Sequence, residues 1–172
     1  MPHTMKPGAI EVQPRLHRWT IDRAAGSVTE TALDDRAVEF PRVHDERVGG
    51  RYRYGYTAGL EEKQSPNIVR FHKYDLVGDR SWTHELGPGR TGGEPVFAPA
   101  SAGGAAARDA ADDAGEDEGW VMSFVHDAAS NRSELVILDA SNFEAEPVAR
   151  IHLPTRVPNG FHGSWIPEEE KT

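Results

Sequence analysis

Apolar residues recur at every second position through most of this chain, in short runs closed by turn formers, and no stretch carries the spacing of an amphipathic helix. A period of two sends successive side chains to opposite faces of a pleated strand, so the pattern restricts the chain to all-β architectures. "LHRWTID" (Leu16 to Asp22) and "VTETAL" (Val28 to Leu33), separated by the Gly-containing "RAAGS", predict a hairpin. "RYRYGYTAG" puts Tyr52, Tyr54 and Tyr56 on one face and Arg51 and Arg53 on the other. "NIVRFHKYDL" alternates Val69 and Phe71 against Arg70 and His72, which predicts a half-buried strand. Further strands are expected at "EPVFAP" (Glu94 to Pro99), "GWVMSFVHD" (Gly119 to Asp127), "SELVILDA" (Ser133 to Ala140) and "PVARIHL" (Pro147 to Leu153). The connectors "AASNR" and "SNFEAE" are of turn length. Short strands in up-and-down order are the rhythm of β-propeller blades, although a sandwich gives a similar pattern.

One segment breaks the rhythm. "ASAGGAAARDAADDAGEDEG" (residues 100–119) sets a single cation, Arg108, against Asp109, Asp112, Asp113, Glu116, Asp117 and Glu118. It buries too little apolar surface to offset its ordering entropy, and reads as a flexible, disordered acidic Ala/Gly-rich surface loop. The expected organisation is a disordered segment over residues 1–15, a β domain over 16–166 that contains the 100–119 loop, and a tail over 167–172. The formal net charge of -9 repels a phosphate backbone, so nucleic acid is excluded as a partner. The start of the chain has no signal-peptide core, and no window is apolar for long enough to span a bilayer, so a cytoplasmic location is expected, with contact at a membrane surface as a variant of it.

There is no cysteine, which leaves histidine and carboxylate as the available metal chemistry. Of the eight histidines, His3 sits in the N-terminal segment, and His17, His72 and His152 fall on the polar sides of strand patterns. His126 ends a strand, while His44 and His84 lie in polar connectors. His162, in "RVPNGFHGSW", differs by its backbone setting: Gly160 and Gly163 permit positive φ and close approach, and Pro158 stiffens the entry. Such a loop either aims an imidazole at a fixed point or packs to close the fold. Among the acids, Glu39 in "VEFPRV" and Glu94 in "GGEPVF" lie between apolar residues, where an unpaired charge costs several kcal/mol. The N–H of a metal-bound imidazole would answer that need, and so would Arg42 or Arg90. Nucleotide-binding glycine motifs, a nucleophile elbow and a zinc-protease motif are all absent from the sequence.

Four blocks in order, "DDRAVEFPRVHDERVGGRYRYGYT", "GEPVFAP", "EDEGWVMSFVHD" and "SELVILDASNFEAEPVARIHLPTRVPNGFHGSW", resemble the C-terminal part of the carotenoid oxygenase family. The likeness runs from about Leu16 to Trp165. It implies the C-terminal blades of a seven-bladed propeller with Fe(II) on the axis, held by four histidines. His162 matches the last of these. Glu39 and Glu94 match two of the three glutamates that orient such ligands from behind, and Glu94 would face His162. The implied reaction is oxidative cleavage of a conjugated C=C bond in a carotenoid, apocarotenoid or stilbene-like substrate, with O2 as co-substrate. Family members take their other three iron ligands from a large N-terminal portion, and nothing before Leu16 encodes one. The chain on its own is therefore expected to be inactive and not to hold iron. A non-catalytic β fragment serving as a partner or assembly module, and one half of a split enzyme, are the alternatives.

Overall fold

The computed structural model describes residues 13–61, 66–101, 115–158, 160 and 162–166. Among them run eleven strands: β1 (His17–Asp22), β2 (Ser27–Ala32), β3 (Val38–Arg42), β4 (Tyr54–Leu60), β5 (Ile68–Asp75), β6 (Arg80–Glu85), β7 (Arg90–Gly92), β8 (Val96–Pro99), β9 (Gly119–Asp127), β10 (Arg132–Asp139) and β11 (Ala149–His152). The chain is all-β as expected, with one 3-10 turn at Asp45–Arg47. No helix among the described residues is long and apolar enough to cross a membrane.

Two antiparallel four-stranded meanders account for most of the strands. β3, β4, β5 and β6 pair in sequence order, as do β8, β9, β10 and β11, and the short β7 joins them by pairing with both β5 and β9. Each meander has the make-up of a propeller blade, so the chain forms a partial propeller. The β1–β2 hairpin pairs with neither and is exposed along its whole length.

The turns share one device. Asp22, Asp75, Asp127 and Asp139 each end a strand, and each carboxylate accepts backbone N–H bonds from the turn that follows. An aspartate in that position competes for the backbone donors that would otherwise extend the strand, and so bends the chain at a set residue.

One core joins the meanders. Tyr56 and Ala58 of β4 and Phe71 of β5 meet Phe97 of β8, Val121 and Val125 of β9, and Val136 and Leu138 of β10. Tyr56 stacks on Phe97 with ring centroids 5.3 Å apart. β7 fits because Gly92 has no side chain, since a Cβ there would come within 2.9 Å of the Phe71 ring. The opposite face of the second meander is apolar and open. Trp120, Met122 and Phe124 of β9 lie on it beside Leu135 and Ile137 of β10 and Ile151 of β11, and Trp120, Phe124 and Ile151 are each at least 40% exposed.

Several expectations need correction. β6, with the sequence RSWTHE, shows little apolar alternation, because its core-facing residues are the half-buried Trp82 and the buried His84. β5 is buried on both faces from Phe71 to Asp75 rather than half-buried, and His72 is 1% exposed instead of solvated. His44 and His84 are likewise buried. Of the 100–119 segment, residues 102–114 lie outside the described residues, but its end is fixed rather than loose. The Glu116 carboxylate accepts the N–H groups of Arg53 and Tyr54, both at 2.8 Å, and lies 3.3 Å from buried Arg47. Asp117 pairs with buried Lys73 at 2.5 Å. The charge run reads as solvated because the buried cations that answer it come from distant strands.

Burial pushes the His72 imidazole down to about 4, and the adjacent Arg36 guanidinium adds to the effect. A folded-state value below the ordinary 6.5 means that the unfolded chain binds more protons, so stability present above pH 6.5 is lost as the pH falls toward 4. His44 and His84 are shifted in the same direction. Urea denaturation across that window is expected to show a falling midpoint. His72→Gln should flatten the slope by up to one proton, ~1.4 kcal/mol per pH unit. The open apolar face is expected to drive concentration-dependent association, measurable by light scattering and reduced by Phe124→Lys.

Candidate functional site

Glu94 is placed by its neighbours in "GGEP". The Gly93 N–H donates to the Phe124 carbonyl at 2.8 Å, which pegs the chain to β9, and Pro95 is fully buried. Between these fixed points the Glu94 carboxylate is held with its side chain 5% exposed. The segment after β11 is stitched to Ser133: the Leu153 N–H donates to the Ser133 carbonyl at 2.9 Å and the Val157 N–H to its hydroxyl at 3.0 Å. That strap returns the chain toward Glu94.

There the two meet. Glu94 Oε2 accepts the Gly163 N–H at 2.7 Å and lies 3.4 Å from Nδ1 of His162. A carboxylate on that side favours the proton on Nδ1, which leaves the Nε2 lone pair as the free donor. The other oxygen, Oε1, is 3.6 Å from Arg42 Nη1. Glu94 is therefore faced by an imidazole and by Arg42, one of the two arginines named as an alternative partner. Arg90, the other cation considered, pairs with Glu134, which also takes Arg150 and His152.

The glycines of the loop act differently from the expectation. Neither Gly160 nor Gly163 is among the positive-φ residues, and a Cβ would meet nothing within 4 Å at Gly160 and would make only an ordinary contact, 3.4 Å from Val96, at Gly163. The left-handed backbone sits across from them, at Phe40, with φ 53°. A non-glycine residue there costs about 1–3 kcal/mol, and it coincides with a register break between Glu39 and Arg42 in the β3–β4 ladder. The Phe40 ring meets His162 edge to face with centroids 5.7 Å apart.

Glu39 is not brought into this group. It stands exposed on β3 opposite Ala58 and makes no ion pair among the described residues, so the burial cost expected for it does not arise in this chain. The His162 side chain is 76% exposed, with Glu94 and Phe40 on the sides that are covered. No group of three or more metal-binding side chains is assembled among the described residues. A cavity of about 540 Å³ is lined by Asp34, Arg36, Tyr74 and Arg80 and includes neither Glu94 nor His162. Arg42 and Phe40 are the residues of the site that the strand pattern alone did not mark, although both stand beside Glu39 in "EFPR".

Residues 2–167 match the retinal pigment epithelial membrane protein family. The chain belongs to that family. A carotenoid cleavage oxygenase of Mycobacterium tuberculosis is 37% identical over 166 residues, which cover 94% of this chain and 30% of the relative. The apocarotenoid-15,15'-oxygenase of Synechocystis is 35% identical over 152 residues, or 88% of this chain and 29% of that one. Among solved structures, a cobalt-substituted form of the Synechocystis apocarotenoid oxygenase superposes with a TM-score of 0.75 at 33% identity, over 88% of this chain and 30% of that one. The chain thus spans about 30% of the length of these family members. The likeness borne by the four sequence blocks is membership.

Removing Glu94 takes the acceptor from the Gly163 N–H and leaves Arg42 with only Asp45 and the Gly163 carbonyl, whereas Glu39 makes no ion pair among the described residues. Glu94→Ala is expected to cost about 1–3 kcal/mol in urea denaturation, and Glu39→Ala to stay within about 0.5 kcal/mol.

Proposed function

We propose that this chain is the C-terminal portion of an iron(II)-dependent dioxygenase that cleaves a conjugated C=C bond of a carotenoid, apocarotenoid or stilbene-like substrate. In this reading Nε2 of His162 is one of four imidazole donors, and the other three come from polypeptide beyond this chain. Glu94 holds the ring and its tautomer from behind. Glu39 does the same for an imidazole that this chain does not supply, which accords with its exposed carboxylate. The observation that carries the reading is the buried Glu94 carboxylate 3.4 Å from Nδ1, with the other ring nitrogen left open.

The donor chemistry fits iron(II) at this one arm and not beyond it. A single imidazole does not hold the ion, and among the described residues no set of three or more metal-binding side chains exists. Iron, when bound, would supply a site at which O2 is activated next to an apolar polyene, and the two oxygen atoms would end in two carbonyl products. What this chain contributes is orientation: a ring fixed by Glu94, and a carboxylate charge that balances part of the metal's. Both named relatives are carotenoid or apocarotenoid oxygenases, and cobalt(II), present in one solved relative, accepts the same imidazole donors. A cytoplasmic location with contact at a membrane surface belongs to the same proposal.

The 76% exposure of His162 favours a second reading, a non-catalytic β module. A chimera separates the two: residues 16–166 replace the matching part of the Synechocystis apocarotenoid oxygenase. The dioxygenase reading expects one iron per chain and cleavage of an apocarotenoid into two carbonyl products, with iron retention lost in His162→Ala. A folded chimera without iron overturns it.

A further inference from the structure

The two oxygens of the Glu94 carboxylate face different partners. Oε2 lies beside His162, and also takes the Gly163 N–H. Oε1 is drawn the other way, to within 3.6 Å of Arg42 Nη1. The second arm of the same guanidinium, Nη2, reaches the Gly163 carbonyl at 3.4 Å and lies 3.7 Å from Asp45. Residue 163 is therefore held at both ends, its N–H by Glu94 and its C=O by Arg42, immediately after the imidazole.

We propose that Arg42 is a positioning residue for His162: its planar fork fixes the orientation in which the Glu94 carboxylate faces Nδ1 and clamps the backbone that carries the ring. The proposal rests on the reading of His162 as a ligand arm oriented by Glu94. Arg42 gains its position from the break in the β3 ladder, where Phe40 at φ 53° brings its ring against His162 and the next strand residues toward Glu94. The two features act on one loop from one bulge, as bulges do where a side chain must be re-aimed. A lysine at position 42 would keep the charge but present one compact ammonium, which cannot bridge a carboxylate and a carbonyl in fixed geometry.

The test uses the 172-residue chain with nitrogen-15 histidine and glycine, at an alkaline pH where imidazoles are neutral. NMR reads the His162 ring tautomer and the Gly163 amide exchange rate, and thermal denaturation is followed in parallel. The wild-type chain is expected to carry the ring proton mainly on Nδ1. Arg42→Gln should move the tautomer ratio at least two-fold toward the Nε2-protonated form and speed Gly163 exchange at least ten-fold. Arg42→Lys should do the same with the melting temperature kept. Glu94→Gln is the control for the underlying reading. If Glu94→Gln shifts the tautomer while both Arg42 variants leave tautomer and exchange unchanged, the role of Arg42 is overturned and that of Glu94 stands. If Glu94→Gln also leaves the tautomer unchanged, both fall. Should Arg42→Gln not fold, Arg42→Lys decides alone.

Discussion

Cations on the side of the first meander, buried or half-buried, are answered by carboxylates on the side of the second, and this exchange reinforces the seam that β7 bridges. Arg47, before β4, meets Glu116, and Lys73 of β5 meets Asp117 and the Ala140 carbonyl. Arg42 of β3 meets Glu94. Removing one partner of such a pair leaves an uncompensated charge in low dielectric, a loss of about 3–5 kcal/mol when burial is complete. The apolar core between Tyr56, Phe97, Val121 and Leu138 supplies the larger favourable term but is non-directional, and the charge pairs add direction to it.

The candidate site is one of these seam contacts put to a second use. Glu94 joins the meanders through Arg42, and with its other oxygen it faces His162. A carboxylate already immobilised for structural reasons is a stiff support for an imidazole, whereas an exposed one would be free to swing. Glu39 shows the contrast: the same residue type, three positions before Arg42, is exposed and has no ion-pair partner among the described residues.

Much of the fold was legible in the sequence. β9 was read to the residue, and the neighbouring strands within a few, because a sheet buried on one face writes its burial as alternation. β6 was not, because a buried histidine takes the place of an apolar residue there. The anchoring of Glu116 and Asp117 was hidden for a related reason: a run of acids looks the same on paper whether water or a distant lysine answers it. At the site, the pairing of Glu94 with His162 followed from resemblance and not from spacing, since the two are far apart in the chain. The left-handed Phe40 left no trace in composition, because nothing about a phenylalanine announces positive φ.

The base of the acidic segment has a consequence for anyone wishing to handle the protein. The Ala100 N–H donates to the Glu118 carbonyl at 3.0 Å, and Glu116 and Asp117 are riveted just inside that closure. These contacts hold the segment at its ends, and the entropic cost of lengthening what runs between them grows only with the logarithm of its length. An affinity tag, a fluorophore or a whole guest domain spliced there would leave the sheet register, and Glu94 with it, undisturbed.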